Sequence, residues 1–137
     1  MNPIQKILNG IFPCVYLFTL GTVKNLKTFM NIDAKHNDEM LVCKYGKVDD
    51  LDVKTGKYIA SYGLLKNSDL ILKYCTFIDH KNILLAEIDI NNFMNINSKV
   101  EYDNHKNIIV LDSKYLDEIV SKQYSVLTKL YSNSVSK

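Results

Sequence analysis

The sequence predicts a single domain of the α+β class, and three features of the chain indicate it. Runs rich in β-branched and aromatic residues occur in both halves and favour strands. A run near the C-terminus has apolar residues at helical spacing. The 137 residues, of which 47% are apolar and 23% charged, have the size and composition of one globular unit. We therefore expect several strands followed by a short helix, a β-hairpin and a C-terminal amphipathic helix.

The first half of the chain is predicted to form mainly strands. Val15–Leu20 is largely apolar, which favours a strand that is buried on both faces. Met40–Val48 is rich in residues with strand propensity. Tyr58–Ser61 is a further predicted strand, and it leads into the dipeptide Tyr62-Gly63.

After Tyr62-Gly63 the apolar residues change from an alternating to a helical period. Asn67 is a good N-cap, because its side-chain oxygen can accept a hydrogen bond from a free N–H at the start of a helix. The predicted helix ends in the polar loop Asp79–Asn82. Its apolar face consists of Leu70, Ile71, Tyr74 and Phe77. The pattern thus predicts a strand, a turn and a short helix, with Tyr62 at the junction.

The second half is predicted to contain a strand, a hairpin and the longest helix. Ile83–Ile90 alternates between apolar and polar positions, as a half-buried strand does, and Asn91–Ser98 is predicted to be a surface loop. Val100–Leu111 indicates a hairpin that turns at Asp103–Lys106. Ser113 begins an amphipathic helix. Its apolar stripe contains Leu116, Ile119, Val120, Leu127 and Leu130.

Composition and spacing disfavour several classes of function. The net charge of +2 is small, and all 17 basic residues are lysines, so the chain has no arginine fork for bidentate phosphate recognition and we expect no nucleic-acid partner. The histidines and cysteines lack the spacing of metal ligands, so no metal site is predicted. Ile11–Val23 is apolar but too short to span a bilayer, so we expect a buried strand or short helix and no membrane partner, with secretion as the less favoured alternative. Cys14, Cys43 and Cys75 form no C-x-x-C pair, which favours a reduced intracellular protein, cytoplasmic or nuclear.

One stretch of the chain resembles a known family. Its residues are Gly56-Lys57-Tyr58-Ile59-Ala60-Ser61-Tyr62-Gly63, then Lys66-Asn67-Ser68-Asp69-Leu70-Ile71, and then Tyr74. They resemble the C-terminal end of a SET domain, the catalytic domain of protein-lysine methyltransferases. Within that family they are most similar to the class of the Rubisco large-subunit methyltransferase, whose members have a G-E-E-apolar-x-x-S-Y-G strand, then S-N-x-E-L-L and then Y-G-F.

The resemblance implies a methyltransferase site with S-adenosylmethionine as cofactor and a protein as substrate. Tyr62 matches the active-site tyrosine, whose hydroxyl helps to form the narrow channel for the lysine. Tyr74 matches the first residue of Y-G-F, and Phe77 lies one place later than the phenylalanine of that motif. Asn31 is a partial counterpart of the family's Asn-His pair. The resemblance therefore places Asn31, Tyr74 and Phe77 beside the cofactor.

The chain also departs from the family pattern. Lys57-Tyr58 replaces the acidic pair, and the glycine-rich N-terminal strand that contacts S-adenosylmethionine is absent. We therefore expect residues 1–78 to be a partial SET-like region and residues 79–137 to be the start of a substrate-binding-like region, together in one compact unit. The protein would be a truncated or degenerate methyltransferase that is not active alone. The alternative is a non-catalytic α+β module that binds another protein through the apolar stripe of its C-terminal helix.

Overall fold

The computed structural model describes residues 13–33, 35–49, 51–63, 68–97, 99–103 and 105–132. Its centre is a five-stranded antiparallel sheet in the order β3-β1-β2-β5-β4. The strands are β1 (Cys14–Thr22), β2 (Leu41–Val48), β3 (Ile71–Phe77), β4 (Val100–Asp103) and β5 (His105–Leu111). The helices are α1 (Val23–Leu26), α2 (Leu51–Tyr58, continued by the π-helical turn Ile59–Gly63), α3 (Ile83–Ile96) and α4 (Ser113–Tyr115, the π-helical turn Leu116–Val120 and Ser121–Tyr131). The predicted α+β class is confirmed.

The side chains of β1 alternate between the two faces of the sheet. Val15 and Leu17 lie on one face, and Tyr16 and Phe18 lie on the other. All four are buried, as predicted for a strand that is covered on both faces. We call the first the helix-layer face, because α3 and α4 cover it, and the second the aromatic face, on which α1 and α2 pack.

The two longest helices, α3 and α4, lie side by side and run in opposite directions. Asn97, directly after α3, donates its amide to the hydroxyl of Tyr115 near the start of α4. Near the other end, the hydroxyl of Tyr131 donates to the carboxylate of Asp89 in α3. The helix residues buried against the sheet are Ile83, Ala86, Ile90 and Met94 of α3 and Leu116, Val120, Tyr124 and Leu127 of α4. This layer therefore closes one half of the core.

The predicted C-terminal helix is confirmed, and its N-cap is visible. The Asp112 side chain accepts a hydrogen bond from the backbone N–H of Lys114 at 2.8 Å, so a helix begins at Ser113. Of the predicted apolar stripe, the members that face the core are Leu116, Val120 and Leu127. Ile119 and Leu130 are exposed instead. The stripe is thus mainly core and not a free docking face.

The predicted strand at Tyr58–Ser61 is wrong, because this segment is helical. Tyr58 and Tyr62 lie four residues apart, on one side of α2, and both pack against the aromatic face of the sheet. The hydroxyls of Tyr58 and Tyr16 are 2.6 Å apart, in a buried contact between residues distant in sequence. This tertiary contact, which local spacing does not reveal, favours the helix despite Gly56 within it.

The helix predicted between Asn67 and the loop Asp79–Asn82 is also wrong, because Ile71–Phe77 forms strand β3. Tyr74 and Phe77 lie on opposite faces of the sheet, as alternation requires. The segment is short and rich in β-branched and aromatic residues, which favours a strand over a helix. Asn67, the predicted N-cap, lies outside the described residues.

The predicted strand Ile83–Ile90 is wrong, because this segment is helical. Most of the predicted loop after it continues the same helix to Ile96. The buried residues Ile83, Ala86, Ile90 and Met94 follow the helical period. The sequence alternates like a strand because the opposite side of this helix is also apolar.

The strands on both sides of residue 78 join one sheet. β3 ends at Phe77, whereas the predicted hairpin Val100–Leu111, confirmed as β4 and β5, pairs with β2. The division into a SET-like and a substrate-binding-like region stays a prediction.

Candidate interaction surface and the predicted tyrosine site

Tyr62, the predicted catalytic residue, belongs to an aromatic cluster on the aromatic face. Its ring packs edge-on against Tyr58, with centroids 5.5 Å apart. Tyr58 in turn packs against Phe18 at 5.4 Å and Tyr16 at 5.9 Å. Burial raises the pKa of the Tyr62 phenol. Tyr62 therefore lies on a helix, half-buried against other rings, and not at the end of a strand.

The hydroxyl pair of Tyr16 and Tyr58 is the polar centre of this cluster. Burial is the main cause of the raised pKa of Tyr16, and its hydrogen bond to Tyr58 is the second. The pKa of Tyr58 is also raised, again mainly by burial. Both phenols are therefore neutral at physiological pH and serve as donor and acceptor to each other.

The other predicted site residues are distributed around the sheet. Phe77 packs on the aromatic face, as Tyr62 does. Tyr74 lies on the helix-layer face, where its hydroxyl donates to the Leu116 carbonyl at 3.0 Å. The sheet thus separates Tyr74 from Tyr62. The structure does not gather these side chains on one face.

Asn31 has a backbone role. It is exposed and has a φ of 57°, in the left-handed region where asparagine is one of the best-suited residues after glycine. The N–H of Ile32 donates to the carbonyl of Lys27 at 3.0 Å, the bond that commonly closes the C-terminal end of a helix. Asn31 therefore ends the turn that follows α1.

The outward side of α3 has a composition that is unusual for a solvated helix. All its exposed residues are uncharged, namely Leu84, Leu85, Ile88, Asn92, Asn95 and Ile96. Leu84, Leu85 and Ile88 have exposed fractions of 62%, 53% and 53%. Surface helices normally carry charged residues on this side. We call these six residues the outer face of α3.

The neighbouring helix α4 provides a contrast. Its exposed residues include Asp117, Glu118, Lys122 and Lys129, although Val126 and Leu130 are also exposed. The charged residues of α3 are only half-exposed, and the Asp89 carboxylate is bonded to Tyr131. The uncharged surface is therefore a property of α3 and not of the whole helix layer.

The sequence contained a signal for this surface that the strand prediction obscured. The segment Ile83–Ile96 has apolar residues at helical spacing on its buried side and again on its exposed side. When both sides of a helix carry apolar residues, apolar and polar residues nearly alternate along the sequence. Such alternation is typical of a strand. A helix of 14 residues with apolar residues on both sides and no lysine indicates a second covered surface.

This chain is similar in sequence to viral proteins that are named as uncharacterized. Over 138 residues it is 29% identical to Uncharacterized protein L12 of Acanthamoeba polyphaga mimivirus, covering 98% of this chain and 28% of that protein. Uncharacterized protein L5 of the same virus is 28% identical, with coverage of 96% and 29%. Uncharacterized protein R865 is 40% identical over 86 residues, covering 63% of this chain and 15% of that protein.

The chain spans less than a third of the length of these curated relatives. No protein-family model matches it, and no solved structure matches it with significance. In the part of the chain that the structure describes, no helix has the length and apolar character needed to cross a lipid bilayer.

Proposed function

We propose that this region is a non-catalytic protein-interaction module that docks on another protein through the outer face of α3. The observation that carries the proposal is the exposure of Leu84, Leu85 and Ile88 on a helix side without an exposed charge. Single exposed apolar residues are common, but three on adjacent turns form a contiguous patch. Such patches mark protein–protein contacts.

Covering this patch makes a favourable contribution to the free energy of docking. Burying one leucine or isoleucine fully is worth about 1.5–3 kcal/mol. Covering three side chains that are about half exposed therefore contributes on the order of 3 kcal/mol before the cost of association. Asn92 and Asn95 extend the same side of the helix with neutral hydrogen-bonding groups. The partner surface would accordingly be apolar and uncharged.

The same proposal places the module inside the cell. Cys14, Cys43 and Cys75 are all free thiols, and Cys14 and Cys43 are buried. Free buried thiols suit a reducing compartment.

A pair of matched double variants tests the proposal. Leu84→Lys/Ile88→Lys places two charges on the outer face of α3, whereas Val53→Lys/Ile59→Lys makes the same change at exposed positions of the helix on the aromatic face. We expect both to keep the wild-type unfolding free energy within about 0.5–1 kcal/mol, because all four side chains are at least half exposed. Only the first should lose most of the binding of Nile red, a neutral dye for apolar patches.

Light scattering on the same proteins reports whether the partner is a second copy. A wild-type dimer that only Leu84→Lys/Ile88→Lys dissociates would identify self-association through this face. Unfolding of that variant would show that the patch is core and contradict the proposal. Equal dye binding by the wild type and both variants would do the same.

Lysine methylation stays a prediction of the motif from Gly56 to Tyr74. Its support is the register of Tyr62, Asp69 and Tyr74 in the sequence. Isothermal titration with S-adenosylmethionine tests it. Micromolar binding by this chain would favour the methyltransferase hypothesis and would contradict our expectation that the cofactor half is lacking. Absence of binding at millimolar cofactor would leave the interaction module as the better account.

A further inference from the structure

A second surface lies at the edge of the sheet, away from the outer face of α3. A cleft of about 380 Å³ runs between strand β3 and helix α4. One wall is the strand segment Lys73–Thr76, and the other is the helix side with Ser121, Ser125 and Thr128. Tyr124 also lines the cleft. The cleft is thus bounded by a strand on one side and by hydroxyl-bearing helix residues on the other.

β3 is an edge strand among the described residues, since β1 is its one neighbour in the sheet. The N–H of Ile78 donates to the Pro13 carbonyl at 2.9 Å, and Thr76 is aligned with Val15 in the same register. Backbone groups of an antiparallel strand alternate in direction, so those of Thr76 also point towards β1. The backbone N–H and carbonyl of Cys75 then point away from β1, on the outer side of the strand, and Cys75 lines the cleft.

The end of β3 supports this assignment. The carbonyl of Phe77, two residues after Cys75, accepts a hydrogen bond from the Ser132 hydroxyl on the outer side of the strand. The register changes between Leu17 and Phe18 of β1, which leaves Lys73 as an extra residue on β3. Such a bulge limits pairing at that end. The open part of the edge is therefore short and centred on Cys75.

The helix wall is held in place from within. Thr76 donates its hydroxyl to the Tyr124 carbonyl at 3.2 Å. The Thr128 hydroxyl in turn donates to the Thr76 hydroxyl at 3.2 Å. The Tyr74 and Tyr124 rings are 5.4 Å apart. These contacts fix the distance between strand and helix, so the cleft is preformed.

The rim of the cleft is basic. Lys122 and Lys129 lie one turn before and one turn after Ser125 on the helix, and both are exposed. Lys73 on the strand is paired with Asp117 at 3.2 Å. The segment Ser121–Tyr131 contains no acidic residue. Exposed Glu118 lies one turn before Lys122, so the helix from Glu118 to Lys129 carries one net positive charge beside the cleft.

We propose that this cleft binds an extended acidic segment of another polypeptide, which adds a strand to the edge of β3. Main-chain hydrogen bonds to Cys75 would supply affinity, as in other cases of strand addition to a sheet edge. Lys122 and Lys129 would select acidic side chains on the helix side. The site is distinct from the outer face of α3, so it can be present or absent independently of the proposed docking function.

The test uses a defined probe, an acetylated and amidated octapeptide of alternating threonine and glutamate. In a titration followed by ¹⁵N–¹H NMR we expect shift changes centred on Cys75 and Ser125. A strand bonds through one edge only, so N-methylation of one alternate set of peptide residues should abolish binding and N-methylation of the other set should leave it nearly unchanged. Equal effects of the two methylated peptides would overturn the proposal.

A protein variant tests the charge requirement. Lys122→Glu/Lys129→Glu changes only exposed side chains, and we expect about tenfold weaker binding of the acidic peptide and tighter binding of the corresponding threonine–lysine peptide. Unchanged affinity would overturn the assignment of an acidic ligand. No binding of the acidic peptide to the wild type at millimolar concentration, or shift changes confined to α3, would overturn the site itself.

Discussion

The helix-layer face of the sheet is covered by two long helices with mainly aliphatic side chains, whereas the aromatic face is covered by shorter helices and a cluster of tyrosines. Both faces use the same strands. Val15 and Leu17 contribute to the first, and Tyr16 and Phe18 to the second. On both faces stability depends on filling volume and on satisfying buried hydroxyls. On the helix-layer face the Tyr124 hydroxyl donates to the backbone carbonyl of Tyr16, whereas on the aromatic face the hydroxyls of Tyr16 and Tyr58 bond to each other.

The difference between the two faces bears on function, because a helix on the helix-layer side also exposes apolar side chains to solvent. α3 uses one side for the core and presents a second apolar side outwards. On the aromatic face, Val53 and Ile59 are exposed too, but exposed Lys57 lies between them along the chain. We therefore assign docking to the helix layer and a structural role to the tyrosine cluster.

The largest effect should come from removing core volume beneath the helix layer. Leu116 is completely buried, and Leu116→Ala should lower the unfolding free energy by about 2–5 kcal/mol because it leaves a cavity. Urea denaturation measures this. Leu130→Ala on the same helix is the control, with an expected change within about 0.5 kcal/mol, since Leu130 is 54% exposed. Equal losses would show that the two sides of α4 are wrongly assigned.

The next largest loss of unfolding free energy is expected at Gly46 on the aromatic face, where the Tyr16 hydroxyl lies close to the backbone. A Cβ added at Gly46 would lie 3.0 Å from the Tyr16 hydroxyl, which is too close without a shift. Gly46→Ala should therefore cost about 1–3 kcal/mol by overpacking. In a Tyr16→Phe background the same change should cost less, because the crowded oxygen is gone. A cost that is equal in both backgrounds would contradict this contact.

Removing the buried hydroxyls of Tyr16 and Tyr58 should have a smaller effect on the unfolding free energy, and the two losses should not be additive. Tyr58→Phe leaves the Tyr16 hydroxyl without its partner and should cost about 1–2 kcal/mol. The double variant Tyr16→Phe/Tyr58→Phe removes both hydroxyls and should lose clearly less than the sum of the single variants. Strict additivity in chemical denaturation would mean that the two hydroxyls do not interact.

High pH should destabilise the protein through its buried tyrosines. Burial raises the pKa of Tyr16 and Tyr45 in the folded state, so their stabilising contribution is complete below the unfolded-state value near 10 and is lost as pH rises above it. At one pH unit above that value, each contributes a loss of roughly 1 kcal/mol. Tyr16→Phe should reduce the slope of stability against pH between about 10 and 12. An unchanged slope would contradict burial of that phenol.

The sequence predicted those elements whose local pattern and tertiary environment agree. β1, β2, the hairpin of β4 and β5, and the start of α4 after Asp112 all follow this rule. α2 could not be predicted, because the contact of Tyr58 with Tyr16 forms only in the folded protein. β3 has spacing that fits a helix, and its pairing with β1 decides its conformation.

The candidate surface was missed for a related reason. The side chains that made α3 resemble a strand, Leu84 and Ile88, are the exposed apolar residues to which we assign docking. Periodicity assumes that apolar residues face the core, and that assumption fails where they face a partner. Tyr62 and Tyr74 show the converse, since a motif placed them together in sequence and the sheet separates them in space.

Site-specific photo-crosslinking of the full-length protein, in the cells that make it, tests the central claim most directly. Benzoylphenylalanine at Ile88 lies on the outer face of α3, and the same group at Ile59 is the control on the aromatic face; both side chains are about half exposed. We predict a discrete protein adduct from position 88 and none of equal yield from position 59. Equal adducts from both positions, or no adduct from position 88, would contradict docking through α3.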